Sequence, residues 1–392
     1  MERKKGLIIV GIAVFVLVVG TGIVAPLLTP YAKTFDGVTG INIGLLFSGF
    51  YCVRIIVGPY IGVLADKKGA KAIIKYSLIL YPIIGLLYVV ANTYWILILA
   101  RLVHGLASAM MLPMVMTYIG IISPEGEESR YMSIYNTVVY LANGVGPAVG
   151  SGIASFYGYK IAFSSLLVLS VIAFCIISFL PDFQNNVVEK KELKNKKNMF
   201  VFKRNIMAVC IVQIVATIAA VFSMSFYSLY LISINVDTAI VGVILTIDNL
   251  IVGGSQIVIS KFIDKINKER AIGITSTLLG LTTMLLVSIT EKRIIIGIFV
   301  ILSCLSAVLL LASSALSAII GKAEGMGETM GVINSASSLG AVIGPVILGA
   351  VADYMSSNYI IVFTAICWFV GAIVFSVLYK NMEDCENHEL LL

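Results

Sequence analysis

The stretch GLIIVGIAVFVLVVGTGIVAPLLTP, residues 6–30, decides the structural class of this protein because it contains no charged side chain. An α-helix needs about 20 consecutive apolar residues to cross the hydrocarbon core of a bilayer. The run is too long for a signal peptide, and no small-residue cleavage pattern accompanies the charged start, residues 1–5. We therefore predict that residues 6–32 form a first membrane-spanning helix.

Apolar runs of this length recur along the whole chain. Hydrophobic residues make up 59% of the 392 residues and charged residues only 12%, whereas a soluble domain carries about 25% charged residues. Such a chain can cover its apolar surface only with lipid. The sequence thus predicts an all-α membrane protein with twelve transmembrane helices, near residues 6–32, 41–63, 73–91, 95–122, 131–154, 160–180, 205–233, 239–259, 270–290, 294–320, 329–353 and 359–379.

Loop charges predict the topology. The longest polar interval divides the predicted helices into two groups of six, which gives an N-terminal bundle over 1–180, a cytoplasmic linker over 181–204, a C-terminal bundle over 205–380 and a cytoplasmic tail over 381–392. Of the 27 Lys and Arg residues, only four fall in the loops of one side: Lys33, Lys160, Lys292 and Arg293. Because basic loops stay in the cytoplasm, we place the protein in the cell membrane with both termini on the cytoplasmic side. The basic residues behind the net charge of +6 therefore lie in short loops between apolar runs, and they predict no nucleic-acid partner.

The two halves carry an internal repeat. Asp66-Lys67 recurs as Asp264-Lys265, and Gly146-Pro147 recurs as Gly344-Pro345, each pair 198 residues later. Two unrelated pairs at one offset indicate a duplication. Related halves that meet around a midplane cavity are the architecture of many secondary transporters, so we predict two pseudosymmetric six-helix bundles.

The loop after the second helix reads GVLADKKGAK, residues 62–71, and resembles the helix 2–3 signature of the major facilitator superfamily. The matching positions are Gly62, Leu64, Asp66, Gly69 and Lys71, while Lys67 replaces an arginine and Ala70 departs from a basic position. The glycines permit a tight turn, and Asp66 suits the positive N-terminal end of a helix from the other half. The resemblance implies that this loop stabilises one conformation. Alternatively, its basic residues only enforce the topology.

Two further motifs resemble the drug/proton antiporter branch of that superfamily. Helix 4 carries Leu97, Arg101 and His104-Gly105 at the spacing of an antiporter signature, with His104 in place of glutamine. Helix 5 keeps Gly146, Pro147 and Gly150 of a second signature, and other small residues replace its remaining glycines: Ser133, Ala142 and Ser151. Small residues allow close helix approach, and Gly-Pro relaxes the backbone ladder. This resemblance implies proton-coupled efflux.

Ionisable groups near the middle of a membrane are candidate functional residues because they are costly to bury there. Asp248 is the only carboxylate in the middle of an apolar run, and we predict that it carries a proton or binds a cationic substrate. Alternatively, it forms a structural ion pair with Arg54 or Arg101. Arg101 could bind an anionic group, bias a neighbouring carboxylate or be structural. Arg54, in helix 2, is a further candidate, and His104 could titrate near neutral pH or act as an ordinary hydrogen-bonded histidine. On helix 5, a polar stripe could face a cavity: Asn136, Tyr140 and Asn143.

These features favour a secondary active transporter that exports small organic or drug-like molecules with protons as the coupling ion, working as a monomer. An importer or a sugar or metabolite exporter of the same superfamily stays open as the alternative. No G-x-x-x-x-G-K-[ST] loop for ATP occurs. The two histidines and six cysteines show no metal-ligand spacing, so we expect no metal, no cofactor and no enzymatic activity. The repeat and the helix 5 motif argue against a channel.

Overall fold

The computed structural model describes residues 2–38, 40–183, 204–221, 238–289, 291–354 and 357–379. These residues form twelve α-helices. The first six are α1 Glu2–Ala32, α2 Gly40–Lys68, α3 Ala70–Val90, α4 Tyr94–Ile122, α5 Glu128–Tyr157 and α6 Tyr159–Ser178. The second six are α7 Arg204–Val221, α8 Thr238–Ile263, α9 Lys268–Leu285, α10 Lys292–Glu324, α11 Met326–Tyr354 and α12 Ser357–Leu378.

The helices begin and end close to the predicted spans. Within the described ranges, seven of them are apolar and long enough to cross a membrane. Most of the predicted linker (184–203), the second part of the predicted seventh span (222–233) and the predicted tail (381–392) lie outside the described residues.

Local chemistry fixes several of the helix boundaries. Gly69 separates α2 from α3 with a φ of +84°, which favours glycine, and its N–H donates to the carbonyl of Ala65 at 2.7 Å. α9 starts behind Asn267, whose side chain accepts hydrogen bonds from the amides of Glu269 (3.0 Å) and Arg270 (3.2 Å). The glycine expected to form a tight turn in the loop 62–71 therefore does so.

The same pairs of helices pack in both halves. In the first half, α1 packs against α5 and α6, α3 against α4 and α6, and α2 against α4. In the second half, α7 packs against α11 and α12, α9 against α10 and α12, and α8 against α10. Each pair in one half thus has its equivalent six helices later. The prediction of two pseudosymmetric six-helix bundles is confirmed.

Two equivalent contacts join the halves. We call the packing of α2 against α11 the first seam and the packing of α5 against α8 the second seam. α4 and α10 lie beside these seams and also contact the opposite half.

The glycines of the helix 5 motif pack α5 tightly against α1. A Cβ atom at Gly146 would lie 2.8 Å from Gly22 Cα, and one at Gly150 would lie 2.7 Å from the carbonyl oxygen of Ile23. Any larger side chain would force the two backbones apart. The structure therefore gives these small residues a packing role within the first half.

Candidate functional site

Asp66 joins the two halves at the start of α11. Its Oδ1 accepts a hydrogen bond from the amide of Gly327 (2.8 Å), and its Oδ2 accepts one from the amide of Glu328 (2.9 Å). The first amides of a helix have no partner within the helix, and the helix dipole favours a negative charge there. The contact expected between Asp66 and a helix N-terminus of the other half is thus present, and it lies in the first seam.

Asp264 makes the equivalent contact in the second seam. Its Oδ1 accepts a hydrogen bond from the amide of Ser129 (2.9 Å), in the first turn of α5. Asp264 and Asp66 are 198 residues apart, and so are Gly327 and Ser129, which donate to them. The repeat therefore extends to the individual hydrogen bonds between the halves.

An ion pair that the sequence analysis missed lies beside Asp264. Lys322 Nζ, in the last turn of α10, lies 2.6 Å from Glu128 Oε1 and 3.0 Å from the carbonyl oxygen of Ser123. The side chain of Glu128 is only 4% exposed and that of Lys322 is 24% exposed. The available signal was an acidic residue beginning helix 5 and a basic residue ending helix 10, both in predicted cytoplasmic regions.

The basic residues of the loop 62–71 make weaker contacts. Lys67 is exposed. Lys71 Nζ lies 3.7 Å from Asp182 Oδ2, and the two side chains are 21% and 69% exposed. Exposed pairs of this kind contribute little to stability. Among the charged residues of the loop, Asp66 therefore makes the strongest contact between the halves.

These contacts gather at one end of the molecule, which we call the closed end. The junctions after α2, α4, α8 and α10 all lie there, since Asp66, Asp264 and Lys322 connect them. The four junctions are among those predicted to share the cytoplasmic side.

The first seam is closed by direct backbone contact. A Cβ atom at Gly62 would lie 2.4 Å from the carbonyl oxygen of Gly327. One turn further from the closed end, a Cβ at Gly58 would lie 2.3 Å from Ser335 Oγ. Only glycine fits at this distance, so α2 and α11 touch along at least two turns.

The second seam is closed mainly through side chains. Thr137 Oγ1 donates to the carbonyl oxygen of Gly253 (2.7 Å), and a Cβ at Gly253 would lie 2.8 Å from Tyr140 Cβ. Asn136 Nδ2 donates to Ser314 Oγ on α10 (3.4 Å). Asn136 and Tyr140, which the sequence suggested for a cavity wall, thus contact the opposite half.

Both seams separate toward the opposite end. On α2, Gly44 lies on the same face as Gly58, and on α5, Gly144 lies one turn beyond Tyr140. No described atom lies within 4 Å of a Cβ built at either Gly44 or Gly144. Beyond the levels of Gly58 and Tyr140, the described atoms at these two glycines make no contact between the halves, and we call the space between the halves there the cleft.

Asp248 lies on α8, five residues beyond Gly253 in the direction of the cleft. Ser303 Oγ on α10 donates a hydrogen bond to its Oδ1. In the described part of the chain, no ion pair joins Asp248 to Arg54 or Arg101. Ser303 was missed from the sequence, because a serine in an apolar helix carries no distinguishing signal.

Arg101 and His104 lie in an aromatic cluster of the first half. Arg101 Nε donates to the carbonyl oxygen of Leu46 (3.1 Å), and its guanidinium lies 5.0 Å from the Phe47 ring and 4.7 Å from the Phe50 ring. His104 Nδ1 lies 3.3 Å from the Tyr88 hydroxyl. Both side chains are 5% exposed, and these surroundings favour structural roles for them.

Arg54 has a different environment. It lies on α2 one turn beyond Gly58, where the first seam ends, and it is partly exposed. Its guanidinium lies 5.6 Å from the Phe50 ring and 5.8 Å from the Tyr51 ring. Ser335 Oγ on α11 contacts only its backbone carbonyl, at 3.2 Å. The cleft floor thus carries a cation on the first half and a carboxylate, Asp248, on the second.

Comparisons with known proteins agree with this arrangement. The sequence profile of the Major Facilitator Superfamily matches residues 10–290 and 209–388. An uncharacterized MFS-type transporter of Methanocaldococcus jannaschii is 28% identical over 381 residues, which cover 95% of this chain and 98% of that protein. The quinolone resistance protein NorA of Staphylococcus aureus is 29% identical over 171 residues, 44% of each chain.

Solved structures of membrane transporters share the fold. The human organic anion transporter MFSD10 superposes with a TM-score of 0.79 at 13% identity, covering 96% of this chain and 100% of its own. The fucose:proton symporter FucP of E. coli also superposes with a TM-score of 0.79 at 13% identity, covering 97% and 100%. The chain therefore belongs to the major facilitator superfamily, as a multi-pass membrane transporter of small molecules rather than an enzyme.

Proposed function

We propose that this protein exports small organic or drug-like molecules by alternating access, in exchange for protons. The observation that carries the proposal is Asp248, a carboxylate at the edge of the cleft whose described polar partner is the hydroxyl of Ser303. A carboxyl group held by a neutral hydroxyl can gain and lose a proton without breaking an ion pair.

Asp248 is placed where alternating access would change its surroundings. In the present arrangement it lies next to the cleft, five residues from the closed part of the second seam. Water in a cleft favours the ionised form of a carboxyl group, whereas a dry seam favours the protonated form. When the closed end opens and the cleft closes, Asp248 would therefore move from a wet cleft into a dry seam. This change would couple proton movement to transport.

The closed end is cytoplasmic in the predicted topology, so we infer that this conformation faces outward. In this reading the contact of Asp66 with α11 and that of Asp264 with α5 hold the inner side shut. Residues 1–180 and 205–380 would move against each other around the cleft, joined by the linker 181–204. We place the protein in the cell membrane as a monomer with cytoplasmic termini.

The export direction rests on the antiporter-like motifs of helices 4 and 5 and on the partial similarity to NorA, a quinolone resistance protein. An importer or a sugar or metabolite exporter of the same superfamily remains the second candidate. Counterflow in proteoliposomes, run with labelled aromatic acids, cationic dyes and sugars, would identify a transported compound. The same assay with and without a pH gradient would separate these candidates.

The test of proton coupling is Asp248→Asn, since asparagine resembles the protonated acid. We expect the variant to lose uphill transport driven by a pH gradient and to keep downhill exchange of the same compound. The matched control is Asp36→Asn, which removes an exposed carboxylate from the loop after α1. Uphill transport by Asp248→Asn with an unchanged pH dependence would make Asp248 structural and leave coupling to His104 or to the substrate.

A further inference from the structure

Arg54 carries a partly exposed positive charge that no described carboxylate neutralises. It lies near the middle of α2, at the level where the first seam opens into the cleft. Within the described residues, no carboxylate pairs with its guanidinium, and no oxygen accepts a hydrogen bond from it. A guanidinium has five N–H donors and stays charged. Because these donors have no described acceptor, the site can bind an acceptor from outside the protein.

Arg101, one of the three other arginines in the first six helices, shows the environment of a structural arginine in this protein. Its Nε donates to the carbonyl oxygen of Leu46, its guanidinium packs against two phenylalanine rings, and its side chain is 5% exposed. Arg54 shares the Phe50 ring with it, 5.6 Å away, but has no such carbonyl partner and is partly exposed. The difference separates an arginine that completes the fold from one that faces a ligand.

The groups around Arg54 indicate what else a ligand bound to its guanidinium would contact. Tyr51 lies against the guanidinium, and Tyr81 and Tyr135 lie close enough to interact with it electrostatically. Tyr51 is partly exposed, whereas Tyr81 and Tyr135 are buried, and each has an aromatic ring and a hydroxyl group. A planar, apolar body with one acidic group fits such surroundings.

The charge of the opposite half limits the ligand further. Asp248 ends the second seam as Arg54 ends the first, and no ion pair joins the two across the described cleft. A second acidic group on the ligand would face this carboxylate. A single carboxylate, by contrast, matches one planar guanidinium through two parallel hydrogen bonds.

We propose that Arg54 binds the carboxylate of an aromatic organic acid at the floor of the cleft. The proposal rests on the proposed function only in using the cleft as the substrate site, and it requires neither proton coupling nor a direction of transport. It assigns the substrate class to aromatic monoacids, with or without a cationic group elsewhere in the molecule.

Binding to the purified protein tests this proposal without any gradient. Three probes share one ring system and differ in charge: 2-naphthoate, 2-naphthamide and 2-naphthylmethylamine. Binding would be measured by equilibrium dialysis against protein in nanodiscs, with empty nanodiscs subtracted. We expect the wild type to bind naphthoate about 10- to 100-fold more tightly than the amide, the range of one hydrogen-bonded charge pair.

Three variants connect that preference to the guanidinium. Arg54→Gln should bind the acid and the amide equally, whereas Arg54→Lys keeps the charge and should retain part of the preference. Arg130→Gln removes an arginine at the closed end whose side chain is 62% exposed, and it should bind as the wild type does. Size-exclusion chromatography and circular dichroism would confirm that each variant is folded.

The outcomes are distinct from those of the proton-coupling test. An equal affinity of the wild type for acid and amide, a preference for the amine, or no binding of any probe would overturn the proposal. So would an undiminished acid preference in folded Arg54→Gln. A transporter without pH dependence that still binds naphthoate through Arg54 would sink the proton coupling and leave the substrate class standing.

Discussion

The two seams between the halves occupy equivalent positions of the repeat, yet different contacts close them. In the first seam, Asp66 accepts hydrogen bonds from two amides, those of Gly327 and Glu328. In the second seam, Asp264 accepts one described hydrogen bond, from the amide of Ser129. Both seams thus have a carboxylate that contacts a helix N-terminus, and the contact of Asp66 has one more hydrogen bond than that of Asp264.

The second seam has an additional ion pair. Glu128 and Lys322 have no counterpart in the first seam, because the repeat places Met326 and Pro124 at the equivalent positions. We infer that the second seam relies on this pair where the first relies on a doubly bonded Asp66.

The charges at the cleft floor also break the repeat. The position equivalent to Arg54 is Val252, and the position equivalent to Asp248 is Phe50. Positions that obey the repeat build the fold and its inter-half contacts. The departures from it place one cation and one carboxylate on opposite walls of the cleft. These two charges could distinguish the two ends of an asymmetric substrate.

The largest effect on transport is expected for Asp66→Ala, and Asp264→Ala, its equivalent in the second seam, should have a smaller one. A hydrogen bond to a charged group contributes about 1.5–3 kcal/mol, and Asp66 loses two such bonds. We expect uphill transport to fall about 100-fold in Asp66→Ala and about tenfold in Asp264→Ala. Transport would be measured in proteoliposomes at equal protein content, with hydrogen exchange of the first turn of α11 as a direct readout of the contact.

The control for both variants is Lys68→Ala, which alters an exposed neighbour of the same loop. Normal transport by a folded Asp66→Ala protein would reduce the loop 62–71 to a topology signal. Equal losses in the two aspartate variants would remove the difference between the seams.

A smaller effect is expected when a methyl group is added to each seam. A Cβ at Gly62 would meet the backbone oxygen of Gly327 at 2.4 Å, whereas a Cβ at Gly253 would meet the side chain of Tyr140 at 2.8 Å. Overpacking costs about 1–3 kcal/mol, and the contact at Gly62 would be shorter than the one at Gly253. We therefore expect Gly62→Ala to lower transport about tenfold and Gly253→Ala to lower it less.

Gly254→Ala is the matched control, since no described atom lies within 4 Å of its Cβ position. Faster hydrogen exchange of α11 in Gly62→Ala should accompany the loss of transport. A larger effect in Gly253→Ala would mean that the second seam is the more rigid of the two.

Much of the fold was readable from the sequence because the membrane imposes a strong periodic signal. Helix positions follow from the length of apolar runs, and the repeat follows from pairs of residues at one offset. The turn at Gly69 and the attraction of Asp66 for a helix N-terminus follow from local chemistry. These features depend on residues close in sequence or on a single group.

The remaining features depend on how the helices meet. The sequence predicts that Asp66 contacts a helix N-terminus of the other half, but it does not identify that helix as α11. It did not show which of Arg54 and Arg101 completes the fold, whereas the carbonyl of Leu46, which accepts from Arg101, and the greater exposure of Arg54 tell them apart. The partner of Asp248, Ser303, lies 55 residues away in an apolar helix. Such pairings are set by packing.

The smallest effect is expected for the ion pair of the second seam, measured as a double-mutant cycle of Glu128→Gln and Lys322→Met. Glu128 is 4% exposed, and the carboxylate and ammonium groups lie 2.6 Å apart. A control cycle uses Glu127→Gln and Arg130→Met, an exposed pair at 3.3 Å in the same region. Exposed pairs contribute about 0.2–1 kcal/mol and are screened by salt, whereas removing one partner of a buried pair costs several times more.

We therefore expect the melting temperatures of the first cycle to depart from additivity by about 2 °C or more, and those of the control cycle by less. Raising the salt concentration to about 1 M should remove the coupling in the control cycle and largely preserve that between Glu128 and Lys322. Equal coupling in the two cycles would mean that the pair adds nothing to closure. The second seam would then be held by Asp264 and its side-chain contacts alone, and it should be the first to open when the closed end separates.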